Sequence, residues 1–188
     1  MKRRTGDALA TQRVIEAMFS KGASQMQELM PKAQALGALL KGRGHTVAVS
    51  ESSSGGLISA SLLSVPGASA YFLGGGVVYT RIARTALLGI TDAEMEGIRS
   101  SSEPYARLLA RTVRHRFGAT WGIAETGATG PTGNRYGDKA GHSCLAVSGP
   151  VEKVITIETG SPDRVANMRV FSAALLDLLA EALAEARD

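Results

Sequence analysis

An apolar triplet, Val47-Ala48-Val49, runs straight into Ser50-Glu51-Ser52-Ser53-Ser54-Gly55-Gly56, and the apolar periodic run Leu57-Ile58-Ser59-Ala60-Ser61-Leu62-Leu63 follows at once. The triplet reads as a buried strand and the later run as a helix. Hydroxyls, a carboxylate and two glycines therefore stand at a strand-to-helix corner. In open α/β sheets such a corner, outside the carboxyl end of a strand, is where ligands bind. The start of the helix also offers unpaired backbone N–H groups that suit an anion such as phosphate. The expectation is a loop that forms the floor of a small-molecule site.

The rest of the chain alternates in the same way. Pro31 suits the first turn of a helix whose apolar face is Leu36, Leu39 and Leu40, ended by Gly42-Arg43-Gly44. Val65-Pro66-Gly67-Ala68-Ser69 is a turn, and Tyr71 to Thr80 reads as a strand despite Gly74-Gly75-Gly76. A glycine triplet there predicts a bulge or a close backbone approach. Ile82 to Leu88 is a short helix stopped by Gly89, and Thr91 is a good cap for a helix from Asp92 to Ile98. Ser102-Glu103-Pro104 opens a helix to about Phe117, with Tyr105, Leu108, Leu109, Thr112 and Val113 as its stripe.

Thr120 to Ala124 reads as a strand leading into a long glycine-rich loop, Glu125 to Gly141. Ser143–Ser148 and Val151–Glu158 are strands around a Gly149-Pro150 turn, an antiparallel pair. Asp163 to about Ala186 is the last helix. The order of elements predicts a three-layer α/β/α sandwich on a mixed, mostly parallel sheet. Residues 1–24 read as a helical extension, with Ala8 to Phe19 at helical spacing, and residues 25–188 as a single domain.

Composition narrows the function classes. At 188 residues and 44% hydrophobic content the chain is long and apolar enough for one domain with a core. Mean hydropathy is +0.03 and no apolar run is long enough to span a bilayer, so no membrane partner is expected. The net charge of +4 is spread along the chain, clustering only at Lys2-Arg3-Arg4, and aromatics are 5%. A basic stripe with stacking platforms is not evident, so no nucleic-acid partner is expected. The one cysteine, Cys144, lies in a strand-like run and reads as a buried inert thiol. A single thiol fits a reducing compartment, and the basic N-terminus lacks a following apolar core, so a cytoplasmic location is expected.

Familiar catalytic signatures fail. Gly67-Ala68-Ser69-Ala70 is followed by Tyr71, so no G-x-S-x-G elbow forms. The glycine loop is followed by a strand, without a Walker lysine or the context of a dinucleotide fingerprint. His45, His115 and His142 are isolated, and without metal-ligand spacing neither a metal nor a cofactor is expected. What remains is Ser52 in the first loop, Ser69 in the Pro-Gly turn, Tyr79 and Arg84 at the end of the second strand and on its short helix, Thr126 and Thr129 in the glycine loop, and Arg164 at the start of the last helix. Hydroxyls, amides and cations of this kind suit an anionic ligand, with a serine available as nucleophile.

Five segments together resemble one family. Val47 to Gly56 is similar to the A-E-S-C-T-G-G segment of the CinA C-terminal domain, the nicotinamide mononucleotide deamidase family. Val65 to Phe72 resembles its P-G-S-S-x-x-F, Val77-Val78-Tyr79-Thr80 its V-x-Y-S, Ser102-Glu103-Pro104 its V-S-E-P, and Thr126 to Pro131 its T-G-I-A-G-P. The order is kept over residues 31–188.

The resemblance implies hydrolysis of the carboxamide of nicotinamide mononucleotide or a related amide nucleotide, a sheet with one strand antiparallel to the rest, and a homo-oligomer. It implies a serine, tyrosine and lysine chemistry. The serines fall on Ser52 and Ser69, the tyrosine on Tyr79, and the lysine position on Arg84. Glu51, Ser54, Gly55, Gly56, Thr126, Gly127, Thr129, Gly130 and Arg164 are expected to cradle the substrate and its phosphate. The family cysteine is Ser53 here, and its G-D-R segment appears as Gly160-Ser161-Pro162-Asp163-Arg164. Arginine stays protonated and cannot act as a general base. Arg84 therefore opens an alternative: a non-catalytic or differently specific nucleotide-binding member. A partner in competence or DNA damage has only the family's name behind it.

Overall fold

The structure, a computed structural model, describes residues 27–186, so the helical extension expected over residues 1–24 lies outside the described residues. The first helix, α1 (Met30–Arg43), begins with Pro31 and ends where Gly44 turns left-handed and donates its N–H to the Leu40 and Lys41 carbonyls. It buries Ala33, Leu36 and Leu40. Strand β1 (Val47–Glu51) is buried at every residue, as befits a strand covered on both faces. Helix α2 (Leu57–Leu63), strand β2 (Phe72–Val77) and helix α3 (Arg81–Leu88) follow. Helix α4 (Glu103–Phe117) starts at Ser102, whose hydroxyl accepts the Tyr105 N–H, and carries Arg114, His115 and Arg116 in its last turn. Strands β3 (Trp121–Ala128), β4 (His142–Ser148) and β5 (Lys153–Glu158) lead to helix α5 (Arg164–Glu185).

The sheet order is β2-β1-β3-β4-β5. β1 pairs parallel with β2 and β3, while β4 pairs antiparallel with both β3 and β5. Four strands thus share one direction and β4 alone runs against them. The result is a three-layer α/β/α sandwich.

The two faces of the sheet differ in side-chain size. Val47, Val49, Trp121, Ile123, Leu145 and Val147 pack against α1, α2 and α5. Ala48, Ala124, Cys144 and Ala146 pack against α3 and α4. Fully burying each large side chain contributes about 1.5–3 kcal/mol, so the first face holds most of the apolar stabilisation. The small-residue face lets α4 lie close to the sheet. At Gly122 an added Cβ would sit 2.1 Å from the Ala110 carbonyl of α4.

Three elements depart from expectation. The helix anticipated over Asp92–Ile98 is a single 3-10 turn, Ala93–Met95, because Gly97 at φ +74° ends it. β3 runs four residues beyond Ala124, since Glu125 to Ala128 pair with Leu145 to His142 of β4. The glycine loop is correspondingly shorter, 129–141. β2 begins at Phe72 and ends at Val77, inside the expected Tyr71–Thr80.

Candidate functional site

The parallel strands β1, β2 and β3 end on one side of the sheet. Ser52 follows β1, Val78, Tyr79 and Thr80 follow β2, and Thr126 and Gly127 close β3. These residues line a cavity of about 700 Å³, completed by the segment before α4 and by the tip of the 129–141 loop.

Behind the cavity, two buried carboxylates organise the first loop. Glu51 Oε2 accepts the N–H groups of Gly56 and Ile58 at 2.9 and 3.0 Å and the Ser54 hydroxyl at 3.0 Å. Its Oε1 accepts the N–H and hydroxyl of Ser59 at 2.8 and 2.6 Å. The start of α2 is therefore filled by a side chain of its own chain, and the donors expected to be unpaired and open to a ligand anion are used. Glu125, on β3, faces the same loop. Its Oε2 accepts the N–H groups of Ser52 and Ser54 at 3.0 and 2.8 Å and the Ser54 hydroxyl at 2.8 Å. Its Oε1 accepts the hydroxyls of Ser53 and Ser143. Sequence reading missed Glu125. The available signal was that consecutive serines in a buried loop need an acceptor from another strand.

Arginines dominate the other walls. Arg84, only 6% exposed, donates to the Ile90 carbonyl at 3.3 Å and to Asp92 at 2.5 Å. Arg81 pairs with the same carboxylate. Desolvation pushes the Asp92 carboxyl up, but hydrogen bonds from Arg84 and Arg81 outweigh it and hold it below the usual carboxylate range. Arg99 grips Asp138 with two N–H groups, at 2.6 and 3.0 Å. Burial pushes the Tyr105 phenol up, against a smaller opposing pull from the Arg84 charge.

The cavity mouth is a tight turn. The Asn134 Oδ1 accepts the N–H groups of Tyr136 and Asp138 at 2.9 and 3.1 Å, and its amide donates to Asp138 at 2.8 Å. Arg135 and Tyr136 occupy the tip. The Arg135 guanidinium lies 5.1 Å from the Tyr136 ring centre and donates to its hydroxyl at 2.9 Å. Hydrogen bonds from Ser100 and Arg135 hold the Tyr136 phenol below its ordinary range. Ser101, beside them, sits at φ +55°, a left-handed conformation that costs a serine about 1–2 kcal/mol. Its carbonyl faces His142 Nε2 at 3.0 Å and accepts from Arg99 at 3.2 Å. His142 Nδ1 lies 2.5 Å from Glu158, so this histidine ties the segment before α4 to β4 and β5.

The profile of the CinA C-terminal domain matches residues 30–183, nearly the whole described chain. This chain belongs to the CinA family. A CinA-like protein of Gloeobacter violaceus is 39% identical over 149 residues, covering 78% of this chain and 35% of that protein. One from Anaeromyxobacter sp. strain K is 37% identical over 170 residues, covering 89% of this chain and 40% of that protein. The chain thus spans about two-fifths or less of the curated relatives' own length. Among solved structures, the competence/damage inducible protein CihA of Agrobacterium tumefaciens superposes with a TM-score of 0.74 at 26% identity, covering 86% of this chain and 96% of that one. A CinA superfamily protein of Klebsiella pneumoniae gives 0.77 at 22% identity, covering 83% of this chain and 98% of that one, a likeness of fold.

Within this CinA domain the anticipated residues divide into three groups. Ser52, Tyr79, Arg84, Thr126 and Gly127 line the cavity. Ser69 does not. It is exposed on the 3-10 turn Ala68–Ala70 that precedes β2, whereas Tyr79 follows β2. The six residues of β2 separate the two by roughly 20 Å at about 3.3 Å per residue, so one chain does not bring them together. The length of β2 between them decides the separation, and the direction of β2, parallel to β1, puts Tyr79 rather than Ser69 at the Ser52 end of the sheet.

The third group is structural in its visible contacts. Glu51, Ser54 and Gly56 are engaged with one another as described, and Gly55 is exposed at φ +68° with its N–H donated to the Ser52 carbonyl. Thr129 and Gly130 are buried beneath α5. Their carbonyls accept from Asn167 and Arg164, each at 2.8 Å, and Gly130-Pro131 is a cis peptide bond. The Thr129 hydroxyl has no partner among the described residues. Arg99, Arg135 and Tyr136 were not anticipated, because nothing local shows which turns a crossover brings to the same end of a sheet.

Proposed function

We propose that this CinA domain binds a nicotinamide-type mononucleotide in the cavity and hydrolyses its carboxamide: the Ser52 hydroxyl adds to the carbonyl carbon, its proton leaves with the departing ammonia as the C–N bond breaks, and water then cleaves the resulting ester to give the carboxylate and restore the serine. The observation that carries the reading is the convergence of Ser52, Tyr79, Thr126 and an arginine cluster on one cavity at the strand ends of a family-matched domain. An arginine-rich wall suits a phosphate, and hydroxyls suit an amide. Ser52 is the cavity serine on the loop that Glu125 and Glu51 hold rigid, so it is the candidate nucleophile. The fixed Arg84 charge offers stabilisation to an oxyanion but no base.

A second reading has one observation in its favour. Arg84 is committed to Asp92 and the Ile90 carbonyl, and a serine activated by it is not expected. On that reading the domain binds the nucleotide without cleaving it.

One experiment separates the two. Purified protein is titrated with nicotinamide mononucleotide by calorimetry and assayed in parallel for ammonia. Binding with ammonia release that is abolished in Ser52→Ala supports hydrolysis. Binding without release, with release gained in Arg84→Lys, supports the second reading. The absence of binding sinks both.

A further inference from the structure

Four arginines line the cavity, Arg81, Arg84, Arg99 and Arg135. Two carboxylates face them: Asp92 pairs with both Arg81 and Arg84, and Asp138 with Arg99. Two positive charges are left over, the complement of a phosphate monoester dianion near neutral pH.

The surplus has an address. Arg81 and Arg84 share one carboxylate, Arg84 is buried, and Arg99 spends two N–H groups on Asp138. Arg135 is the one cavity arginine without a carboxylate partner among the described residues. Among the described residues its hydrogen bond goes to the Tyr136 hydroxyl, which leaves most of the five guanidinium donors open.

The side chain is also pre-positioned. The Asn134 side chain closes the turn by accepting two backbone N–H groups, and the Arg99–Asp138 pair ties that turn to the segment before α4. The Tyr136 ring then supports the guanidinium through a cation–π contact. An arginine held in this way loses less freedom on binding than a free surface side chain, which favours affinity.

We infer that Arg135, presented by the Asn134–Asp138 turn and braced on Tyr136, is the anchor for a phosphate monoester on the ligand of this cavity. The inference rests on the cavity being the ligand site, as proposed above, but not on the identity of the base or on amide hydrolysis. It names the residue that sets the preference for the phosphorylated ligand: phosphate monoesters are bound through Arg135, and the corresponding nucleosides only weakly.

The test uses three probes on the full chain: ribose 5-phosphate, nicotinamide mononucleotide and the nucleoside lacking the phosphate. Calorimetric affinities are measured for wild type, Arg135→Ala and Arg135→Lys. Arg135 is exposed at a loop tip, and unchanged thermal melts establish that the variants fold. Arg135→Ala is expected to weaken both phosphorylated probes about 10- to 100-fold while leaving the nucleoside within about twofold. Arg135→Lys restores part of the loss as a point charge. Equal losses on phosphorylated and unphosphorylated probes, no loss on any, or no binding of any phosphorylated probe by wild type overturns the assignment. Arg135-dependent binding of ribose 5-phosphate without ammonia release from the mononucleotide keeps the anchor and removes the hydrolase reading. Hydrolysis with KM unchanged in Arg135→Ala does the reverse.

Discussion

Glu125 accepts both the backbone N–H and the side-chain hydroxyl of Ser54, each at 2.8 Å, from one strand away in the sheet. The carboxylate is fully buried and also accepts the Ser52 N–H. Removing it would strand several buried donors at once. Glu125→Ala is expected to cost about 3–5 kcal/mol in urea denaturation, the range for breaking a buried charged network. Glu125→Gln keeps one acceptor oxygen and is expected to cost about half as much. A loss below about 1 kcal/mol for alanine would mean that the loop finds other acceptors.

The Ser54 hydroxyl stands between two acidic groups, 3.0 Å from Glu51 Oε2 and 2.8 Å from Glu125 Oε2. Its single proton is shared between two buried carboxyl groups. Ser54→Ala removes the bridge and is expected to destabilise by about 1–3 kcal/mol. In a double-mutant cycle with Glu51→Gln, a coupling of about 1 kcal/mol is expected, because the two side chains are directly hydrogen-bonded. Additive losses would refute a shared role.

Two glycines should respond in opposite directions to the same change. At Gly122 an added methyl meets the Ala110 carbonyl at 2.1 Å, so Gly122→Ala forces α4 off β3 and is expected to cost at least about 2 kcal/mol. Gly42 lies inside α1 with nothing within 4 Å of an added Cβ, and Gly42→Ala is expected to stabilise by about 0.5–1 kcal/mol. Chemical denaturation of both variants checks the contrast.

Asp138 gives the domain an acid-sensitive contact. Desolvation pushes its carboxyl up, and hydrogen bonds from Arg99 and Asn134 outweigh that, so it titrates below its ordinary value. A folded-state value under the unfolded one, about 3.9, means that the stabilisation is fully present above it and disappears as pH falls through the folded value. The stability gap between wild type and Asp138→Asn should be constant near pH 6 and close below about pH 4. Thermal melts across that range measure it, and a gap that persists in acid would assign Asp138 a role through shape alone.

Much of the frame was legible because it is local. The Val47–Leu63 strand, loop and helix, the Ser102 cap and the antiparallel pair after Gly141 each carry their own signals within a few residues. The site was legible only in part. Ser52 and Tyr79 reach the cavity because both follow strands that point the same way. Ser69 shares a motif neighbourhood with them yet lies before its strand, at the end opposite Tyr79, and a motif resemblance carries no distance that would separate the two. Glu125 was hidden for another reason: a polar residue after an apolar run reads as the start of a loop, whereas here it is the continuation of β3, with its charge satisfied from β1's side. Arg99 and Arg135 come together through the pairing of Arg99 with Asp138, 39 positions further along the chain, which no window of periodicity spans.

The reversed strand β4 has a consequence for how such a domain diversifies. Ala128 and His142 face each other in register, so both feet of the 129–141 segment are clamped by the sheet itself. Residues added or deleted at its tip leave that clamp untouched, and doubling a loop's length costs only about 0.6 kcal/mol in closure entropy. If the tip carries the ligand contact proposed for Arg135, ligand preference can change there without disturbing the sheet beneath it.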